Sequence, residues 1–307
     1  MFELVEDTIA LPKGAFARTH RHALVREGRP VLALTQGRQR AYAYPLCTPA
    51  GYAVTSECPA DHPHHNSFWI AADHVHGRMP VAGGGFEEYT YNFYVDETFQ
   101  GRAAGRIVET ARRFAAEGEA ACRVEQELDW RGPQEWGASD GRLVLRERRV
   151  MRIVAEPGLY VIDLDSRLSS AGWDVALGPT RHAYANLRVA ETMTCAFGGI
   201  VQDDRGRRGG PAISGDGAAW VDFSGPVGGG HVAGVTLLPD PRDHPDPSWF
   251  VSDWGVITVG PFRTRGCVLK EGEEMRARYR VLVHDGDAEA CDPARRHAEF
   301  VASLSGA

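Results

Sequence analysis

No two cysteines in this sequence stand at C-x-x-C spacing: the six, at 47, 58, 122, 195, 267 and 291, are scattered over 307 residues. That spacing argues against a structural zinc knuckle and against a disulfide frame, so the thiols are expected to be reduced and mostly buried. A run of about eighteen apolar residues, which a membrane-spanning helix needs, is missing. The amino terminus, Met1 to Asp7, lacks the basic start and apolar centre of a secretion signal, and a cytoplasmic location is expected. Positive charge is scarce and dispersed, with 34 Lys plus Arg against 41 Asp plus Glu, which argues against nucleic-acid and membrane partners. There is no phosphate-binding Gly-Lys-Ser/Thr loop, and Gly83-Gly84-Gly85 is not a dinucleotide fingerprint. The Glu-x-x-His repeats of helical-bundle diiron proteins are also missing.

What the chain does have is alternation. Segments such as Arg29–Thr35, Arg40–Leu46, Cys122–Trp130, Arg142–Val154 and Leu159–Ser166 place apolar and polar residues on opposite faces, with turn residues every ten or so positions. This pattern predicts an all-β fold, a large antiparallel β-sandwich (supersandwich-like) with few short helices, occupying 1–307 as one domain. Asp292-Pro293 followed by Ala294–Ser303 predicts a carboxyl-terminal helix with an Asp cap and Pro at its first position. Ala111–Ala121 reads equally as a helix or as part of a strand pair. Phe68-Trp69-Ile70-Ala71 reads as a buried strand.

Around that strand lies the most unusual stretch, residues 61 to 77, with five of the twelve histidines: His62, His64, His65, His74 and His76. Neutral imidazoles ligate zinc, copper and iron, and mixed His/carboxylate sets suit iron or zinc. His74 and His76 at strand spacing would point to one side, as two ligands of one ion must. Because one strand separates the two histidine groups, they share a site only if the chain bends near Ala71 to Asp73, or if there are two metals. Further candidate metal ligands are His182, Asp61, Asp73 and Glu191, with Glu87, Glu88, Asp96 and Glu97 as additional carboxylates. His244 is assigned to a turn, and His20, His22, His231, His284 and His297 to structural roles. Trp69, Phe93, Trp249 and Trp254 are candidates to line a substrate pocket.

Several stretches carry a family likeness: Ala41–Leu46 with Thr48–Gly51, Pro59–His65 with Phe68-Trp69, Gly178-Pro179-Thr180 with Leu187–Ala190, Ala219–Gly225 and Tyr279–Gly286. Together they resemble the bacterial methane oxygenase PmoA-like family over about residues 30 to 287. Where that family commonly has other residues, this chain adds histidines at His74, His76 and His182. In this it is similar to the nonheme diiron monooxygenases of platensimycin and platencin biosynthesis.

The resemblance implies two Fe ions, O2, an external electron donor and an electron-transfer partner. The implied reaction is hydroxylation of an unactivated C–H bond in a hydrophobic polycyclic, diterpenoid substrate, free or carried as a coenzyme A thioester. Two rivals come from other classes: a sugar-modifying epimerase, hydrolase or lyase of mutarotase-like fold using His and carboxylates as acid and base, and a carbohydrate-binding module without turnover.

Overall fold

The computed structural model describes residues 1–6, 20–135, 137–215 and 217–304. In chain order the strands are β1 (Phe2–Glu6), β2 (His20–Arg26), β3 (Arg29–Gln36), β4 (Ala41–Leu46), β5 (Phe68–Ala72), β6 (Val75–Pro80), β7 (Phe86–Asn92), β8 (Ala103–Ala104), β9 (Arg106–Ala116), β10 (Ala121–Arg131), β11 (Leu143–Glu156), β12 (Leu159–Ser170), β13 (Val175–Leu177), β14 (Ala183–Arg188), β15 (Ile200–Asp203), β16 (Val221–Gly228), β17 (His231–Pro239), β18 (Trp249–Ser252), β19 (Val256–Val259), β20 (Cys267–Leu269) and β21 (Glu274–Asp285). The α-helices are short: α1 (Gly210–Ile213), α2 (Ala288–Cys291) and α3 (Pro293–Leu304).

Three sheets result. The first runs β1-β2-β3-β4-β5-β14-β19-β18, the second β15-β16-β17-β21-β12-β11-β10-β9, and the third β20-β13-β6-β7-β8. The all-β sandwich expected from the alternation is the fold. Between the sheets, Phe68, Ile70 and Ala72 of β5 pack in one core with Met151 and Ile153 of β11, Ile162 and Leu164 of β12, and Val75 and Val175 of the third sheet.

Sequence pattern explains the local outcomes. Ala111–Ala121 is not helical: β9 and β10 form a hairpin in which Phe114 pairs with Val124 and Arg113 with Glu125. Cross-strand pairing and the inward row Cys122, Val124, Leu128 and Trp130 override the helical preference of Ala, Glu and Arg. The carboxyl-terminal helix forms as expected, with Asp292 Oδ1 accepting from the Arg295 amide at 3.2 Å and Phe300 buried against the outside of the second sheet. All six cysteines are free; Cys47, Cys122 and Cys291 are buried. No helix among the described residues is long and apolar enough to cross a membrane.

The face of the first sheet turned away from the core positions the candidate site. One register row crosses it: Arg21 pairs with Thr35, Thr35 with Tyr42, Tyr42 with Trp69, Trp69 with Asn186, Asn186 with Thr258 and Thr258 with Phe250. Directly opposed residues share a face, so this row is the floor of an outer surface. Tyr42, Trp69, Ala71, Tyr94 and Val256 form a second apolar cluster there, with Phe250 and Trp254 packed against it. Strand β5 is therefore apolar on both faces, Phe68 and Ile70 inward, Trp69 and Ala71 outward, which is why it reads as a continuous apolar run.

Candidate acid–base site

Three loops roof this outer face. The first, residues 57 to 66, is closed by a bridge between Glu57 and Asn66 and by two turns, His62 amide to Pro59 carbonyl at 3.1 Å and His65 amide to His62 carbonyl at 2.9 Å. Arg40 ties it down from below: its Nη1 donates to the His64 carbonyl at 2.7 Å and to Asn66 Oδ1 at 2.8 Å, and its Nη2 to Gln39 and the Tyr94 carbonyl. The second loop brings Tyr94, whose amide and that of Val95 donate to Asn92 Oδ1 at 2.8 and 3.0 Å, an Asx turn. The third follows Gly178, where φ is +67° and a Cβ would lie 2.4 Å from the Phe262 carbonyl oxygen, so only glycine fits the turn. It delivers Thr180, Arg181 and His182.

At the centre stands a His–Asp dyad. His182 Nδ1 lies 2.9 Å from Asp73 Oδ2; the His182 side chain is 26% exposed and that of Asp73 6%. Asp73 also accepts from Arg102 Nη1 at 2.9 Å and from the Thr180 hydroxyl. Burial pushes the Asp73 carboxyl upward, but the hydrogen bonds from His182 and Thr180 and the nearby positive charge outweigh it, so it stays below the usual carboxylate range. With Nδ1–H given to the carboxylate, His182 presents Nε2 as a lone pair, which accepts from Arg181 Nε at 3.2 Å.

The loop histidines surround the same tyrosine. The Tyr94 ring lies 4.9 Å from His182, 5.6 Å from His64 and 5.9 Å from His65, and its hydroxyl is 3.2 Å from His65 Nε2. Burial first, then the charge of Arg40, lowers His64 to about 4, and burial drives His65 down further. Both imidazoles are neutral at pH 7. His62 stacks on Trp254 at 4.3 Å and on His65 at 4.8 Å. It also shares Asp61, at 3.0 Å, with Arg188, whose Nη2 reaches both Asp61 oxygens at 2.9 Å.

Of the predicted residues, the fold thus gathers His62, His64, His65, His182, Asp61, Asp73, Trp69 and Trp254. The others lie elsewhere. The chain does bend at Asp73, but there it leaves the first sheet for the third, so His74 precedes β6 rather than standing in one strand with His76. His76 Nδ1 sits 3.0 Å from Thr90 Oγ1 and its Nε2 3.8 Å from Glu88, across the third sheet. Glu191 is exposed in a short turn after β14. Phe93 and Trp249 are core residues, Trp249 with its Nε1 bonded to the Ala218 carbonyl at 2.8 Å.

The sequence reading overlooked Arg40, Tyr94, Arg102, Thr180, Arg181 and Arg188. Only Arg188 left a signal: Asn186 and Arg188 recur at period two in an otherwise apolar strand, the mark of an outward polar row.

A diiron centre does not fit this arrangement. Among the described residues no three His, Cys, Asp or Glu side chains converge as a metal-binding group. The physical reason is local. Asp73 and Asp61 already neutralise Arg102 and Arg188, the His182 lone pair faces Arg181, and the guanidinium of Arg40 beneath His64 and His65 opposes a dication. Among the described residues, His62, His64, His65, His74, His76, His182, Asp61, Asp73 and Glu191 do not converge on a metal as the resemblance implied, and the oxygen-dependent hydroxylase reading is corrected accordingly.

No curated protein matches the chain. Among solved structures, a galactose mutarotase-like protein from Lactobacillus casei ATCC 334 is 7% identical, with 92% of this chain and 100% of that chain covered at a TM-score of 0.42. The GH36 alpha-galactosidase AgaB from Geobacillus stearothermophilus is 12% identical over 87% of this chain and 40% of that chain, with a TM-score of 0.44. A galactose mutarotase related enzyme from Lactobacillus acidophilus is 7% identical over 92% and 97%, with a TM-score of 0.35. The likeness to a methane oxygenase PmoA-like family is corrected by the family that does match, over residues 21–298. The chain belongs to DUF6807, a family of unknown function.

Proposed function

We propose that the outer face of the first sheet binds a sugar and moves protons on it, interconverting anomers or epimers. The observation that carries this reading is the Asp73–His182 dyad at 2.9 Å beside the neutral His64, both imidazoles set around Tyr94. Sugars present C–H faces that pack on rings such as Trp254 and Phe250, and hydroxyls that pair with planar side chains such as arginine. For anomer exchange, His182 Nε2 takes the proton of the anomeric hydroxyl once the ligand displaces Arg181. The bond from the anomeric carbon to the ring oxygen breaks, its electron pair stays on that oxygen, and an N–H of neutral His64 supplies the proton there, leaving an imidazolate beside the Arg40 charge until ring closure returns the proton. A C=O forms at the former anomeric centre, and closure on its other face reverses the steps. Asp73 fixes the tautomer and balances the imidazolium. A neutral imidazole that donates its N–H toward a substrate oxygen is an attested arrangement.

Glycoside hydrolysis is less well supported, because it needs a carboxylic acid held protonated. Asp61 and Asp73 are both held ionised by their arginine and histidine partners, although burial alone would raise them. The test is exchange NMR on aldose anomers with the wild type and His182→Ala. Faster exchange that the variant loses supports the reading. Binding without acceleration for any aldose would make the protein a carbohydrate-binding module.

A further inference from the structure

Guanidinium groups crowd this site beyond what its carboxylates neutralise. Arg102 and Arg188 are matched by Asp73 and Asp61. Arg40, Arg181 and Arg263 have no carboxylate at ion-pair distance among the described residues. Arg40 is fully buried, and each acceptor it reaches is neutral: the carbonyls of His64 and Tyr94 and the side-chain amides of Asn66 and Gln39. Asp96 acts on it only from farther away, and burial lowers its guanidinium to about 10. An isolated buried cation is costly. Arg181 and Arg263 flank the Phe250 ring at 5.4 and 5.8 Å, and Arg263 Nη1 bonds the Arg181 carbonyl at 3.3 Å. Two like charges held side by side on an aromatic plate repel each other.

The unsatisfied atoms tell the same story. Arg40 Nε, Arg188 Nε and Nη1, Trp69 Nε1 and His65 Nδ1 are buried without a hydrogen-bond partner, and all belong to this face. Every one is a nitrogen, and those of Arg40, Arg188 and Trp69 can only donate. Buried donors without acceptors are rare enough to require an explanation. An acceptor-rich, negatively charged ligand meets both the surplus charge and the surplus donors.

We infer that the ligand of this site is an acidic sugar, a uronate or a related sugar carboxylate, whose carboxylate is held by the exposed guanidinium of Arg181 and drawn by the charge of Arg40 buried beneath the roof. The inference rests on the sugar reading above. Carboxylate and guanidinium match as two parallel N–H···O bonds, and such pairs tighten as water is excluded.

The test is titration calorimetry of the full chain with D-galacturonate and D-glucuronate against D-galactose and D-glucose. A uronate is expected to bind at least about tenfold more tightly than its neutral counterpart, with the advantage shrinking as salt rises. Arg181→Gln, at an exposed position, should erase most of that advantage, and Arg181→Lys should restore part of it. Equal binding of neutral and acidic sugars overturns the acidic specificity, and an advantage that survives Arg181→Gln and high salt overturns the charge pairing with Arg181; both leave the sugar site standing. Binding of neither class overturns both.

Discussion

Two His–Asp pairs sit on the outer faces of the two large sheets, both at 2.9 Å, and they have different fates. His284 and Asp222 belong to neighbouring register rows of the second sheet, Ser224–Gly234–His284 and Asp222–Thr236–Leu282. Asp222 accepts from the Ser224 hydroxyl, from Thr236 Oγ1 at 2.8 Å and from His284, whose side chain is 1% exposed. Helix α2 covers them, with its own Ala288 and Cys291 buried. Asp73 is equally saturated, but its histidine opens to solvent among other imidazoles and arginines. The same pair is thus a cross-link where a helix seals it and, on the reading proposed above, a proton-transfer device where loops leave one ring edge free. Accessibility, not distance, separates the two roles.

The sharpest way to break this comparison is to remove each histidine. His182→Ala should lower the proposed isomerisation by about a hundredfold to ten-thousandfold while changing stability by less than about 1 kcal/mol, since Arg102 and Thr180 still satisfy Asp73. His284→Ala should do the reverse, costing about 3–5 kcal/mol in denaturant unfolding because Asp222 is left as a buried unpaired charge. Loss of sugar exchange in folded His284→Ala, or unfolding of His182→Ala, would merge the two classes. A milder probe is Gly234→Ala. A Cβ there would lie 2.2 Å from His284 Cε1, and the displaced ring should cost about 1–3 kcal/mol by thermal melting.

Stability against pH separates the pairs again. Burial would lower His284, but the Asp222 hydrogen bond more than compensates and raises it to about 10. Its folded value lies above the ordinary 6.5, so its contribution is complete below pH 6.5 and is lost as pH rises through about 10. His64 is shifted the other way, to about 4. The unfolded chain binds the extra proton between 6.5 and 4, so stability falls as the solution is acidified through that window. Urea titrations should therefore show a maximum near pH 6.5, with an alkaline flank that disappears in His284→Ala. An unchanged alkaline flank would remove His284 from the account. The smallest expected effect is Trp254→Ala, about 0.5–1.5 kcal/mol of sugar affinity from one aromatic plate, with melting little changed.

Much of the scaffold is legible from period-two alternation, and β5 runs Phe68–Ala72 where the sequence places Phe68–Ala71. Part of the site is legible too, because proline and histidine density mark the loop from 59 to 65 and the turn after Gly178 exposes His182. What is not legible depends on three-dimensional placement. The spacing of His74 and His76 suggests a shared face only if both stand in one strand, and the crossing between sheets at Asp73 cancels that. Arg40 looks like a surface residue in Arg38-Gln39-Arg40; its burial follows from the roof that folds over it, to which its own neighbourhood in sequence gives no clue. Imidazoles alone suggest metal. Only the interleaved arginines, invisible to spacing rules, turn the same residues toward proton transfer.

The row from Arg21 to Phe250 gathers its members from seven strands spread over most of the chain, and Trp69 shares its strand with Phe68 and Ile70 of the main core. A change in that floor is at once a change in folding, whereas the roof loops at 57–66, 92–102 and 178–182 can be rewritten with the sheet intact. Across descendants of this chain, the floor should therefore drift slowly and the roof quickly. New ligands would be acquired by editing loops over an old sheet.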